Sequence, residues 1–124
     1  MTSDKLLPLD YDVLAPDGSE VRILASTARG SMAHFTLPPG QVSVAVAHRS
    51  VEEIWYIIAG QGLMWRKSGD MESVTELNAG LSLTITVGTQ FQFRNDGERA
   101  LMAIAVTMPP WPGMDEANVV QGKW

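Results

Sequence analysis

The sequence contains no cysteine and only two histidines. The absence of cysteine excludes disulfide bonds, thiolate metal sites and cysteine nucleophiles. No stretch approaches the ~18 consecutive apolar residues of a transmembrane helix. The amino terminus, Met1-Thr-Ser-Asp-Lys, also lacks the charged and apolar regions of a signal peptide. We therefore expect a cytoplasmic protein with no membrane partner.

Basic residues are also scarce. Nine Lys and Arg against fourteen Asp and Glu give a formal net charge of -5. Binding to phosphate backbones requires a clustered basic face, and here the arginines are dispersed along the chain. The charge pattern therefore argues against a nucleic-acid partner.

What the chain does contain favours a single β domain. Its 124 residues, 45% of them hydrophobic, are enough to bury one core and too few for a second domain. Eleven glycines and seven prolines are spread along the sequence and indicate frequent turns. No helical periodicity of useful length occurs before residue 112. We predict an all-β chain of about ten short strands.

Residues 1–9 form a polar-to-mixed lead-in. Strands are predicted at residues 11–15 and 20–25, joined by a Pro16-Asp-Gly turn in which proline presets the first dihedral angle and glycine accepts a positive one. In the next predicted strand, residues 31–37, Phe35 lies on one face and His34 on the other. The last core strand is predicted at residues 101–108.

The most informative stretch is the predicted hairpin at residues 40–60. Alternation from Val42 to His48 predicts that the valines and His48 share the inward face. After the turn, Glu53 and Trp55 share a face by the same period of two. The hairpin therefore brings His48 and Glu53 together where its two strands meet at the turn.

Two spaced motifs carry a resemblance to a known family. Gly40, His48, Glu53 and Gly60 fit the pattern Gly-x5-His-x-His-x(3,4)-Glu-x6-Gly, with Val46 in place of the first histidine. Gly80, Gly88 and Asn95 fit Gly-x5-Pro-x-Gly-x2-His-x3-Asn, with Thr86 for the proline and Phe91 for the histidine. These are similar to the two conserved motifs of the cupin superfamily, and the chain resembles its small single-domain members.

The resemblance implies an antiparallel β-sandwich of jelly-roll type, also called a double-stranded β-helix, with a pocket between its two sheets. The cupin barrel would occupy residues 10–108. Residues 109–124 would follow as a carboxy-terminal strap, held down because exposed tryptophan surface is unfavourable in water.

The family's usual metal site has three histidines and one glutamate, and the matching positions here are Val46, His48, Glu53 and Phe91. Two ligands remain, whereas first-row metals are normally held by three or four. We therefore expect no tightly bound metal and no other cofactor. If a divalent first-row metal does bind, His48 and Glu53 are its candidate ligands.

His48 and Glu53 are also the candidate catalytic pair, since a carboxylate beside an imidazole favours the protonated ring and suits proton transfer or anion binding. Some cupins, sugar-nucleotide epimerases among them, use a histidine base without metal, but their own motifs are not matched. A buried histidine and glutamate can equally be a polar pair that serves only structure. The predicted pocket lining is Val46, Trp55, Trp65, Phe91 and Phe93, although such aromatic residues often only fill a core.

Three functions stay open from the sequence. The first is a cupin that binds a small polar or aromatic molecule, with His48 and Glu53 as polar contacts. The second is a metal-dependent dioxygenase or isomerase with a reduced ligand set. The third is a structural or regulatory dimer with a filled pocket. Open strand edges before residue 26 predict a homodimer. The sequence identifies neither the substrate nor whether the protein is an enzyme.

Overall fold

The computed structural model describes residues 4–124. Its regular structure consists of strands and one short 3-10 helix, and no helix in this part of the chain is long and apolar enough to span a membrane. The strands are β1 (Val13–Leu14), β2 (Glu20–Ser26), β3 (Ser31–Leu37), β4 (Val46–His48), β5 (Glu52–Ala59), β6 (Gln61–Ser68), β7 (Met71–Asn78), β8 (Ser82–Ile85), β9 (Gln90–Arg94), β10 (Leu101–Met108) and β11 (Ala117–Val119).

The strands form two antiparallel sheets packed face to face. The six-stranded sheet has the order β1-β2-β3-β10-β5-β8, and the five-stranded sheet has the order β11-β4-β9-β6-β7. Consecutive strands β4 and β5 lie in different sheets, so the chain crosses the sandwich at residues 49–51. The hairpin predicted at residues 40–60 was therefore wrong, because the two strands pack across the core and do not pair with each other. The predicted all-β jelly-roll fold is confirmed.

The core lies between the sheets and follows the period-two pattern of the strands. Along β10 buried and half-buried residues alternate over all eight positions, and Glu53, Trp55 and Ile57 of β5 are buried in the same way. The sheets meet through large side chains from both of them, among them Leu37, Trp55, Ile57, Met64, Ile85, Phe91 and Phe93.

Gly60 shows why the motif spacing requires glycine at the β5–β6 turn. Its φ of +89° lies in the left-handed region. A Cβ atom there would also lie 2.5 Å from the carbonyl oxygen of Ala100. Both the backbone angle and the close approach of the neighbouring chain exclude a larger residue.

The prediction for residues 42–48 was wrong in its first half. Val42 and Val44 are 49% and 44% exposed, and only Val46 and His48 face inward. Residues 42 and 43 still contact β9, since Val42 bridges Arg94 and the Ser43 amide donates to the Phe93 carbonyl, but the Val44 amide donates to the Asp17 carbonyl. The register with β9 shifts by one residue before Val46 pairs with Phe91, where regular pairing begins. The alternation of buried and exposed side chains is therefore broken at Ala45 and Val46, two consecutive residues that are both buried.

The segment at residues 109–124, expected from its sequence to be irregular with one helical turn, contains the 3-10 helix Met114–Glu116. It also contains strand β11, which was not predicted. β11 pairs with β4, with Ala117 opposite His48. The Glu116 carboxylate accepts hydrogen bonds from the Ser50 and Val51 amides at the crossing between the sheets. This segment is therefore joined to the strand that carries His48 and to the turn that follows it.

Candidate functional site

A cavity of about 260 Å³ lies between the two sheets at the β4–β5 crossing. Five residues singled out by the sequence line it: Val46, His48, Glu53, Trp55 and Phe91. Val46 and Phe91 are register partners on β4 and β9, while Glu53 and Trp55 lie on β5 in the opposite sheet. The cavity thus has walls from both sheets.

Trp65 and Phe93 do not line this cavity, contrary to the prediction. Trp65 is buried on β6, and its indole Nε1 donates to Glu72 Oε1 of β7 at 2.7 Å. Phe93 packs edge-on against Trp55, with ring centroids 5.1 Å apart, and belongs to the core. Both side chains are buried, as their sequence pattern indicated. Whether a buried aromatic residue lines the cavity depends on its position along the sandwich.

Trp111 takes a place in the lining that sequence analysis did not assign. Its ring meets the His48 ring edge-on at 5.3 Å, and the Phe91 ring meets His48 at 5.2 Å. Phe35 of β3 also lines the cavity and stacks on Trp55 with centroids 5.4 Å apart. The walls near His48 are therefore predominantly aromatic.

His48 is buried beside Glu53 but not hydrogen-bonded to it. Its Nδ1 lies 3.9 Å from Glu53 Oε1, beyond hydrogen-bond range, and has no partner among residues 4–124. Burial lowers the pKa of His48, although the charges of Asp17 and Glu116 act in the opposite direction. Burial therefore opposes the protonated ring that the sequence suggested, because desolvation outweighs the neighbouring carboxylates.

Glu53 already uses both carboxyl oxygens within the protein. Oε1 accepts from Trp55 Nε1 at 3.1 Å, and Oε2 accepts from Thr107 Oγ1. Burial raises the pKa of Glu53, and these two hydrogen bonds offset part of that rise. The carboxyl group is fixed in orientation while retaining lone pairs for a further donor.

Asp17 is the principal site residue that sequence analysis missed. It is buried and lines the cavity, with Oδ1 accepting from the Ser19 amide at 2.9 Å and from Ser19 Oγ at 2.6 Å. Burial raises the pKa of Asp17, the Ser19 bonds lower it in part, and the Glu53 charge raises it further. In the sequence, the Pro16-Asp-Gly pattern indicated only a surface turn.

The donor set in the cavity does not fit a first-row metal. The two positions where the family places histidines carry Val46 and Phe91, which have no donor atoms. His34 lies outside the cavity lining, and residues 4–124 contain no group of three or more His, Cys, Asp or Glu side chains placed to share an ion. Function without a tightly bound metal stays a prediction.

The raised pKa of Asp17 predicts a pH-dependent effect of Asp17→Asn. A folded-state pKa above the ordinary 3.8 means that the folded protein holds this proton more tightly than the unfolded chain. The wild type therefore loses stability from this group as pH rises above 3.8 through the folded pKa, whereas asparagine does not ionise. We expect the melting temperature of the variant, relative to wild type, to rise between pH 4 and pH 7.5.

Thermal unfolding across this pH range checks the prediction. The asparagine of the variant can still accept the Ser19 hydrogen bonds through its side-chain oxygen. Asp70→Asn, in the exposed turn between β6 and β7, is the matched control and should show a nearly constant difference. A constant difference for Asp17→Asn as well would contradict the assigned burial effect.

Comparisons with known proteins agree with this architecture. A family model described as a cupin domain matches residues 33–107. The uncharacterized protein MJ1618 of Methanocaldococcus jannaschii is 29% identical, over 93% of this chain and 96% of its own. A double-stranded β-helix protein from Klebsiella pneumoniae superposes with a TM-score of 0.70 at 19% identity, covering 84% of this chain and 85% of that one. For KdgF from Halomonas sp. the TM-score is 0.72 at 15% identity, with 89% and 97% covered.

Proposed function

Because the chain belongs to the cupin domain family, we propose that it binds a small organic molecule in the cavity between its sheets. The observation that carries this proposal is a space of about 260 Å³ with aromatic walls and a buried His48 whose Nδ1 has no partner among residues 4–124. Ligand pockets are typically concave and mostly apolar, with a few convergent polar groups. This cavity has that composition.

The polar contacts would be His48 and Glu53. A neutral imidazole offers one donor and one acceptor, and the fixed Glu53 carboxyl can accept a further hydrogen bond. A ligand that pairs with His48 removes the penalty of leaving a buried polar atom without a partner. The aromatic rings of Trp55, Phe91 and Trp111 would enclose the apolar part of the ligand.

The presence of this space also distinguishes between the functions left open by the sequence. A structural dimer with a filled pocket would need no cavity beside His48. A metal-dependent enzyme would need donors where Val46 and Phe91 stand. Proton transfer by His48 and Glu53 is compatible with their positions in the cavity lining.

Tryptophan side chains provide the test. In a ¹H–¹⁵N spectrum, addition of benzyl alcohol as a neutral aromatic probe should shift the indole signals of Trp55 and Trp111, which line the cavity. Trp65 and Trp124 do not line it, so their signals should stay in place. Ala33→Phe, which places a ring into the space, should abolish the shifts, whereas Val74→Phe on the exposed edge strand β7 should not.

Two results would contradict ligand binding in the cavity. One is the absence of shifts at Trp55 and Trp111 up to millimolar probe. The other is an equal movement of all four indole signals, which would indicate non-specific binding.

We also propose a homodimer, as predicted from the sequence, but formed through the outer face of the six-stranded sheet in place of the strand edges before residue 26. This surface carries no charged side chain across the centre of β3, β10 and β5, although the chain has a net charge of -5. Two copies of an acidic chain repel one another except where they meet through uncharged surface. The apolar residues on this face are Met32, Ile54, Tyr56, Ile58, Ile104 and Val106.

Light scattering at micromolar concentration tests this contact. Wild type is expected to have the mass of a dimer. Tyr56→Lys should give a monomer, because Tyr56 is 51% exposed at the middle of the face and an ammonium group there would be desolvated by the second copy. Val74→Lys, on the other sheet, is the control and should stay dimeric; a monomeric wild type would refute the proposal.

We propose a cytoplasmic location on the basis of the composition, which includes no cysteine. The acidic charge and the dispersed arginines likewise favour a small molecule over nucleic acid as the partner.

A further inference from the structure

The cavity is acidic and lacks a basic side chain to balance it. Asp17 and Glu53 are 5% and 4% exposed, and both line the space. Its lining residues, all in the described part of the chain, include neither lysine nor arginine. Buried carboxylates are unfavourable unless a positive group pairs with them. No lysine or arginine of the lining balances these two carboxyl groups, so a cationic ligand would stabilise their charged form.

His48 provides a second and independent observation. Its side chain is 5% exposed, it lines the same space, and Nδ1 finds no hydrogen-bond partner within residues 4–124. A buried ring nitrogen without a partner is a group that a ligand is expected to satisfy. In the neutral ring, one nitrogen accepts and requires a donor.

The walls add a third contribution. Phe35, Trp55, Phe91 and Trp111 line the same space as the polar groups, and aromatic rings attract cations through the negative potential of their faces. An anionic ligand would find neither an arginine fork nor a lysine, the usual partners of carboxylate and phosphate groups. The aromatic walls and the carboxyl groups of the cavity therefore both favour a positively charged ligand.

Resting on the proposed function, we propose that the cavity selects a small primary amine with an apolar body, whose ammonium group lies against Asp17 and Glu53. An ammonium group has three N–H donors, and the carboxyl groups of Asp17 and Glu53, which line the cavity, can accept from them. Asp17 is then a specificity-determining residue. Its free oxygen, Oδ2, takes no part in the Ser19 hydrogen bonds.

Three probes of nearly equal shape separate charge from size: benzylamine, benzyl alcohol and benzoate. In calorimetric titrations near pH 7.5, benzylamine should bind at least tenfold more tightly than benzyl alcohol, and benzoate should bind most weakly. Asp17→Asn should lower benzylamine affinity at least tenfold while changing benzyl alcohol affinity less than threefold. Asparagine preserves the acceptor for Ser19, so the turn is retained.

Glu53→Gln provides a second variant should Asp17→Asn fail to fold. The glutamine side chain can keep an acceptor for Trp55 Nε1, and its amide can donate to Thr107 Oγ1. The same selective loss of benzylamine binding is expected.

The outcomes distinguish this inference from the proposal on which it rests. Equal binding of benzylamine and benzyl alcohol, with shifts at Trp55 and Trp111, would overturn amine selection and leave ligand binding intact. Tighter binding of benzoate would also overturn it. No binding of any of the three probes would overturn both.

Discussion

The double variant Val46→His, Phe91→His is expected to bind one equivalent of Ni²⁺, Mn²⁺ or Zn²⁺ and to unfold at a clearly higher temperature when the metal is present. Val46 and Phe91 are register partners on adjacent strands, and Val46 lies two residues before His48 on the same inward face. The Phe91 ring already contacts His48, with centroids 5.2 Å apart. Two histidines here, with His48 and Glu53, complete a three-histidine and one-glutamate set.

The size of the shift follows from mass action. Metal at a hundred times its dissociation constant stabilises the folded state by about 2.7 kcal/mol. For a domain of this size that corresponds to a rise of roughly 10 °C in melting temperature. Replacing the buried Phe91 ring lowers the starting stability, by less than the roughly 3–5 kcal/mol of truncation to alanine.

Differential scanning fluorimetry with each metal, and metal analysis of the dialysed protein, measure the effect. The melting temperature of the wild type should change little when a metal is added. Val44→His, Phe91→His is the matched control, because Val44 is 44% exposed and its replacement cannot join the set. An equal rise in wild type and the double variant would show that the alignment of the motifs is wrong or that a metal site already exists.

Trp55→Ala is expected to produce the largest loss of stability, about 3–5 kcal/mol in the free energy of unfolding. Trp55 is 2% exposed and contacts Phe35, Phe91 and Phe93 through its ring. Its removal leaves a void between the sheets and deprives Glu53 Oε1 of its donor. A melting temperature lower by roughly 10–20 °C should result.

Trp55→Phe separates packing from hydrogen bonding. Phenylalanine keeps an aromatic ring in the core but cannot donate to Glu53, so it should cost about 1–2 kcal/mol. Denaturant unfolding of both variants provides the comparison. Equal losses for alanine and phenylalanine would mean that the indole hydrogen bond, and not the ring, carries the stability.

Much of the site was predictable because it depends on local rules. Val46, His48, Glu53 and Trp55 alternate on two strands that meet at one crossing, and the period of two places them inward whatever surrounds them. The position of Phe91 in the site was predicted from the spacing of the second motif. The same rule failed at Val42 and Val44, because the Val44 amide bonds to Asp17 and the register with β9 shifts by one residue before Val46.

The electrostatics were not predictable in the same way. The sequence places a glutamate near a histidine and therefore suggested a protonated ring. In the folded chain, Nδ1 and Oε1 lie 3.9 Å apart and burial dominates, so the pKa of His48 falls. Desolvation depends on how completely neighbouring elements cover a group, and sequence spacing does not report that quantity.

The amino-acid sequence by itself determined the all-β fold, the cupin motifs and the inward face of the β4–β5 crossing, since turn chemistry and strand periodicity act over a few residues. Only the tertiary structure decided that Asp17 is buried and lines the same cavity as Glu53, that Trp111 rather than Trp65 borders His48, and that β11 pairs with β4. These contacts join residues far apart in the chain. Their existence depends on how the two sheets and the carboxy-terminal segment pack, which no local pattern encodes.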